Sequence, residues 1–486
     1  MYLKRIVCKD LRGFAEIDLD LCPLAPGSHS RGGSRSRARS ESLLKFEHIL
    51  RQYEKGESAS NGLFGIQESL SVDMEMSSDG HYPGWAVITG DNGSGKTTLL
   101  KAIALALMGP DKSRYLQENF EGWVSHGEDK AEISLEIRPD NSRDKVKGGG
   151  HPYKNTFWAE VDIVKTVEQF RPGDHWSLRQ SDHFKQKQRG AANGPWEAMP
   201  GWLAVGYGPF RRLYGSSPEA AGLEADPIKA RFATLFKEDA TLIGAEKWLQ
   251  DLDYQRKDNR SEATEVLEAV TTLLQADFLR NGMQFDRVDS RGVWLLDHEN
   301  RTLRLADMSE GYRAALAMLI DIVRQMFLTY GFDPDIVKKE GEFVYVNAPA
   351  VVLIDEVDAH LHPAWQREIG TWLKQHFPFV QFIVTTHSPL VCQAADGGRV
   401  YILPAAANGD EPRLVESEEY ARIIAGRPDE VLQTEAFGLH QTRSPRISRI
   451  RRRHAELKQL SLFDESHRGE LEQLELVVEG QLPKDD

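Results

Sequence analysis

The stretch Gly90-Asp91-Asn92-Gly93-Ser94-Gly95-Lys96-Thr97-Thr98 constrains this chain more than any other. It fits G-x-x-x-x-G-K-[ST], with Gly90, Gly95, Lys96 and Thr97 at the fixed positions. The apolar run Trp85–Thr89 precedes it and reads as a buried strand, and the helix-forming run from Leu99 to Gly109 follows. A strand–loop–helix context is what the pattern needs: glycines let backbone N–H groups turn inward around phosphate oxygens, and the helix N-terminus adds its positive dipole end. Lys96 would then reach the β- and γ-phosphates, and the Thr97 hydroxyl would hold Mg²⁺. The alternative is a glycine-rich turn without a ligand.

The second signal is Val351-Val352-Leu353-Ile354-Asp355-Glu356, an apolar run ending in two acids. This describes a central strand whose C-terminal tip enters a site. Beside a phosphate-binding loop, Asp355 would hold Mg²⁺ and Glu356 would polarise the attacking water as general base. The third signal is Thr385-Thr386-His387-Ser388-Pro389, directly after the strand Gln381–Val384. His387 sits one βα unit beyond the acids, where a γ-phosphate sensor belongs. The fourth, Met308-Ser309-Glu310-Gly311-Tyr312, opens a long helix to Tyr330. Ser309 is a natural N-cap, and Ser-x-Gly at a helix start also makes an anion site. Far from the loop in its own chain, it would close on the γ-phosphate held by a partner subunit.

The bulk properties narrow the remaining classes. With 486 residues, 40% hydrophobic and 28% charged, the chain is globular and long enough for two or three domains. A net charge of −14 argues against coating nucleic acid through the overall field. Cys8, Cys22 and Cys392 are scattered with no C-x-x-C, which suits a reducing cytoplasm and speaks against a zinc framework. Neither an apolar signal core nor a run of about 18 apolar residues is present, so no membrane span is expected.

Along the chain, Tyr2–Cys8 and Phe14–Leu21 read as two strands. Gly27–Ser40, rich in Ser, Gly and Arg, reads as a solvated insertion or a nucleic-acid contact, and Leu43–Tyr53 as a helix. Ala131–Ile137 and Thr156–Val164 read as strands with a polar hairpin around Lys147–Gly150 between them, and about Pro172–Pro195 as a long loop. Trp202–Gly208 is strand-like, Ala245–Gln255 and Glu262–Arg280 are helical, Met283–Val288 and Val293–Leu296 are short strands, and Gly331–Asn347 is an insertion. With Arg399–Leu403 the βα alternation predicts an α/β core. There are no internal repeats or sustained heptads. The tail from Ser417 is helical and charged, with Arg446, Arg449, Arg451, Arg452 and Arg453 around one helix. That patch suits DNA phosphates, an acidic partner or a plain solvated face.

Together the four signals resemble the ABC-type ATPase family of the SMC and DNA-repair branch. Gly90–Thr97 matches its Walker A motif, Val351–Glu356 its Walker B, His387 its switch histidine, and Met308–Gly311 a degenerate form of its Leu-Ser-Gly-Gly signature. Asp358-Ala359-His360-Leu361-His362-Pro363 resembles its D-loop in the variant of OLD-like ATPases, which places Asp358 at a dimer seam rather than making His360 and His362 a metal pair. The opening strands around Arg12-Gly13-Phe14 match the usual start and add Arg12 to the nucleotide-binding set. The resemblance covers about residues 1–21, 84–140 and 300–405.

It implies a P-loop NTPase of ABC-ATPase type: a mixed sheet with flanking helices, helical and β insertions, and a helical C-terminal tail. The implied domains are 1–23 and 84–140 as the first part of the core, an insertion at 24–83, a β/helical lobe at 141–300, the second part of the core at 301–405, and a helical region at 406–486. Between the halves this chain carries strands and a short helical pair instead of long coiled coils. In that it looks like compact ATPases of bacterial anti-phage systems: the Septu, retron-associated and PARIS ATPases and OLD nucleases. Val205–Arg212 resembles a segment common in them, whose arginines would approach ATP or a partner, or simply lie on the surface. Unlike OLD enzymes, the chain shows no strand ending in the paired acids of a Toprim nuclease, and Val477–Gly480 resembles a Toprim opening only by chance.

The implied cofactors are ATP and Mg²⁺, and the implied assembly is a head-to-tail dimer or larger oligomer in which Ser309 and Gly311 arrive from the other subunit. The implied partner is an effector nuclease encoded nearby. A DNA-repair ATPase acting directly on DNA and an ATP-dependent scaffold with little turnover are the alternatives, while a transporter subunit is not expected.

Overall fold

The computed structural model describes residues 1–21, 84–140, 143–144, 156–167, 174–182, 196, 201–396, 398–404, 411–439, 441–460 and 468–480. The readings of Gly27–Ser40, Leu43–Tyr53, Lys147–Gly150 and Cys22 lie outside them. Met1–Ala425 forms one compact unit and Gly426–Asp486 a second.

In the first unit two sheets share one core. The strands β1 (Tyr2–Leu11), β2 (Phe14–Asp20), β4 (Lys130–Arg138), β5 (Phe157–Val167) and β6 (Asp174–Gln180) form an antiparallel sheet in the order β2-β1-β4-β5-β6. In β4 the buried side chains recur at every second residue, Ala131, Ile133, Leu135 and Ile137, so one face is apolar. The second sheet holds β3 (Trp85–Thr89), β7 (Ala204–Tyr207), β13 (Ala350–Ile354), β14 (Val380–Thr385), β15 (Arg399–Ile402) and β16 (Arg413–Leu414), in the order β16-β15-β3-β14-β13-β7. All its pairings are parallel except β15 with β16. Strands β3, β7 and β13 are buried at every position, as continuous apolar runs in a parallel sheet covered on both faces should be.

Helix α1 (Lys96–Met108) packs against β4 and β5 of one sheet and β7 and β13 of the other. It is apolar almost all round because it has no solvent face. Gln381 ties the two sheets: its Oε1 accepts from the Leu3 N–H and its Nε2 donates to the Leu3 carbonyl, both at 2.8 Å. That pair satisfies the β1 backbone where the β1–β4 register shifts between Leu3 and Arg5.

The rest of the unit is built from α2 (Ile243–Lys257), α3 (Ser261–Leu274), the sheet β8 (Gln284–Asp289), β9 (Gly292–Leu296) and β10 (Thr302–Arg304), and the long helix α4 (Glu310–Tyr330). The expected insertion Gly331–Asn347 contains the hairpin β11 (Val337–Glu340) and β12 (Phe343–Val346). Two expectations change. The stretch read as a loop from Pro172 contains β6, and β5, β6 and β7 belong to the two core sheets rather than to a separate lobe. Trp176 and Leu178 of β6 pack against the core, at the period-two spacing of an edge strand.

The second unit contains α6 (Pro445–Leu460) and α7 (Arg468–Gly480), packed on each other; α5 (Pro363–His376) lies in the first. Val477–Gly480 is helical, not the opening strand of a nuclease domain. Arg453 forks onto the Glu470 carboxylate at 2.9 and 3.0 Å, and Arg452 and Arg453 also lie within 4 Å of Glu456 at 3.9 and 3.8 Å. The arginine cluster is thus partly matched within its own helical pair. No helix among the described residues is long and apolar enough to cross a membrane.

His376, at the end of α5, gives the fold a pH dependence. Its ring stacks on Trp372 at 4.2 Å and Phe343 at 5.3 Å, and its Nδ1–H donates to the Val344 carbonyl at 2.6 Å. Burial pushes its pKa below the ordinary 6.5, against the pull of that carbonyl and of Asp277. The unfolded chain therefore takes up this proton first, and stability falls as the pH drops below about 6.5. The melting temperature is expected to fall from pH 7.5 to pH 5.5 by more in the wild type than in His376→Gln. Equal falls would show that His376 does not carry the effect.

Candidate active site

The C-terminal ends of β3, β14 and β13 lie side by side, with Thr385 in register with Ile88 and Val384 with Ile354. Their following loops therefore converge at one edge of the sheet, the place where open α/β sheets bind ligands. The loop after β3 turns sharply into α1. Gly95 caps the helix at φ 88°, and a Cβ there would sit 2.4 Å from the Phe14 ring, so only glycine fits. No side chain caps the helix start, and its first turn holds no acid, so its N–H groups face the loop with a positive field. Lys96 folds back over the loop, donating to the Gly90 and Asp91 carbonyls at 2.9 Å each and lying 3.5 Å from Ser94 Oγ. Burial lowers its pKa, while Asp355, Glu356, Asp91 and Asp358 pull it up.

The two acids are held by α1, by the end of β14 and by the segment after β7. Thr97 Oγ1 donates to Asp355 Oδ2 at 2.7 Å, and Thr385 Oγ1 donates to Asp355 Oδ1 at 2.6 Å. The same Thr385 oxygen accepts the Glu356 N–H at 2.8 Å. Asp355 is buried, whereas Glu356 is half-buried at the site's mouth with φ at +45°, a region a non-glycine residue seldom occupies. Arg211, buried under this turn, donates to the carbonyls of Asp355, Glu356 and Val357 at 2.7, 3.1 and 3.4 Å. Burial pushes its pKa down to about 10, against the pull of Asp355, Asp358 and Glu356.

The loop after β14 is tied to the turn that follows the acids. Thr386 Oγ1 donates to Asp358 Oδ1 and accepts the Ser388 N–H at 2.9 Å. Gln366 Nε2 donates to the Leu361 carbonyl at 2.9 Å, and its Oε1 accepts from Ser388 Oγ at 2.8 Å. His387, between these two anchors, is exposed at the sheet edge. Arg12 reaches Thr98 Oγ1 at 2.9 Å and lies over the Trp123 ring, so it flanks the first turn of α1.

The structure thus gathers Gly90–Thr98, Arg12, Asp355, Glu356, Asp358 and the loop bearing His387. Ser309 and Gly311 sit elsewhere on this surface. Ser309 is exposed at the start of α4 and makes no side-chain cap, while a Cβ on Gly311 would meet the His360 carbonyl oxygen at 2.3 Å. The signature start therefore packs on its own chain's post-acid turn. His362 Nδ1 accepts the Ala364 N–H and caps α5, and among the described residues no group of three His, Cys, Asp or Glu forms a metal cage.

Sequence reasoning missed Thr385 and Gln366 and left Arg211 undecided. The run of hydroxyls Thr385, Thr386 and Ser388 was the available signal for the first.

Residues 71–276 match the family described as "AAA domain", and residues 202–393 the family described as "AAA domain, putative AbiEii toxin, Type IV TA system". Septu protein PtuA of Bacillus mycoides (strain KBAB4) is 26% identical over 383 residues, 77% of this chain and 43% of that protein. The chain is similar to Septu protein PtuA and to retron probable ATPases. The retron Ec83 "probable ATPase" of Escherichia coli is 36% identical over 121 residues, 25% of this chain and 21% of that protein. The matches thus span less than half the length of these relatives. An Smc head domain with an extended coiled coil from Pyrococcus furiosus aligns over 87% of this chain and 98% of its own, at 15% identity and a TM-score of 0.41.

Proposed function

We propose that this chain is a Mg²⁺-dependent ATPase whose nucleotide cycle drives assembly and controls a partner effector. The observation that carries this reading is the Thr97 hydroxyl on the Asp355 carboxylate, next to Glu356 and under the loop held by Lys96. One hydroxyl and one carboxylate are a donor set suited to Mg²⁺, which binds through few protein oxygens and completes its shell with phosphate and water. Among the described residues no three His, Cys, Asp or Glu side chains form a protein-only metal cage. Thr97 and Asp355 would hold the Mg²⁺, which would supply charge neutralisation for the phosphates. The chain's own residues supply the rest: Lys96 and the loop N–H groups bind phosphate, Glu356 takes a proton from the attacking water, and His387 contacts the terminal phosphate. Arg12 and Asp358 line the nucleotide site.

The reading includes a dimer in which the exposed Ser309, at the start of the 21-residue helix α4, and the neighbouring Gly311 would complete the site of another copy. By analogy with Septu and retron proteins, the effector would be a nuclease and the setting anti-phage defence. A direct role on DNA through Arg446–Arg453 has less support, since Arg452 and Arg453 already face Glu456 and Glu470.

Phosphate release and light scattering after size exclusion test the reading together. Wild-type protein is expected to release phosphate only with Mg²⁺. Glu356→Gln is expected to elute as a dimer with ATP and as a smaller species without it. Ser309→Arg is expected to abolish that shift while leaving ATP binding intact. A nucleotide-independent mass in all three would remove the ATP-driven assembly.

A further inference from the structure

We infer that Arg211 is a positioning residue for Glu356, a role that rests on the proposed hydrolytic reading. The Glu356 backbone stands at φ +45°, a strained conformation for a non-glycine residue that persists only where the surroundings over-determine it. Its two peptide groups are clamped from different elements. Thr385, at the end of β14, takes the N–H at 2.8 Å, and Arg211, four residues after β7, takes the carbonyl at 3.1 Å.

The guanidinium bridges several carbonyls at once. Its Nη1 donates to Gly208 and Asp355 at 3.0 and 2.7 Å, and its Nη2 to Glu356 and Val357 at 3.1 and 3.4 Å. All four acceptors are neutral, so the side chain fixes direction instead of cancelling a carboxylate. An ammonium cannot reproduce that planar fork. The residue is buried and reaches the acids only through backbone, so it does not itself touch the reacting atoms.

Arg231 provides the internal contrast. It is also buried, and it donates to the Trp202 carbonyl at 3.1 Å and the Thr329 hydroxyl at 2.8 Å.

The test uses the full chain and three readouts: affinity for a fluorescent ATP analogue, single-turnover phosphate release at saturating ATP, and melting temperature. Arg211→Lys is expected to slow turnover at least tenfold and Arg211→Met further, with nucleotide affinity within threefold of wild type. Arg231→Met is expected to lower the melting temperature but to keep turnover per folded molecule within threefold. Turnover within threefold in both Arg211 variants would overturn the inference, as would an equal loss in Arg231→Met. If Arg211→Met does not fold, Arg211→Lys decides alone. Wild-type turnover no higher than that of Lys96→Met would instead overturn the hydrolytic reading and this inference with it.

Discussion

Glu356→Gln is expected to lower ATP turnover by about 10²–10⁴-fold, the range a positioned general base contributes, while ATP stays bound. The substitution is nearly isosteric. It keeps the N–H on Thr385 and the carbonyl on Arg211, so the turn at φ +45° has no reason to move. What it removes is the half-buried carboxylate beside the phosphate loop. That carboxylate is one of four acids acting on Lys96, together with Asp355, Asp91 and Asp358. Removing one negative charge near bound triphosphate weakens no binding contact and relieves a repulsion. Nucleotide affinity is therefore expected to hold or rise, and the ATP-bound state to accumulate. Single-turnover phosphate release with parallel equilibrium binding checks both halves. Turnover within threefold of wild type would remove Glu356 from its role.

The parts of this site that were legible are those whose physics is local in sequence. Trp85–Thr89 and Val351–Ile354 read as central strands because a parallel strand covered on both faces needs an unbroken apolar run. Gly95 was named from the loop pattern alone; the structure adds a φ of 88° where the loop enters the helix and a Phe14 ring that leaves no room for a Cβ. What stayed hidden depends on long-range pairing. In β6 only Trp176 and Leu178 pack inward, and two apolar residues among polar ones look like loop until β5 is beside them. Arg211 and Arg212 are adjacent and chemically identical, yet one lies buried under the acid turn and the other lies exposed over Phe210. Nothing in the spacing distinguishes them, because the choice is made by the parallel pairing of β7 with β13. Thr385 escaped for the same reason: its partners Asp355 and Glu356 are some thirty residues away in sequence and one strand away in space.

Lys96→Met is expected to separate binding from folding. The ammonium donates to the Gly90 and Asp91 carbonyls, holding the loop in shape, and in the proposed reading it would meet the β- and γ-phosphates. A charge-assisted hydrogen bond contributes roughly 1.5–3 kcal/mol, so losing one to phosphate should weaken ATP binding by about 10–150-fold. Stability should respond differently. Burial lowers the Lys96 pKa in the folded chain, so the unfolded chain binds that proton more tightly. At neutral pH the group therefore costs the fold some stability, a cost that fades only as the pH rises through its folded pKa toward 10.5. Methionine has a similar length and no charge, so it removes this cost while leaving two carbonyls without their donor. The opposing terms predict a melting temperature close to wild type at pH 7, beside a large loss of ATP affinity and of turnover. A variant that binds ATP normally would show that the loop glycines and helix N–H groups suffice. A variant that unfolds would show that the ammonium serves the apo loop more than the nucleotide. Paired with Glu356→Gln, which keeps ATP and loses turnover, Lys96→Met assigns the two halves of the site to separate steps.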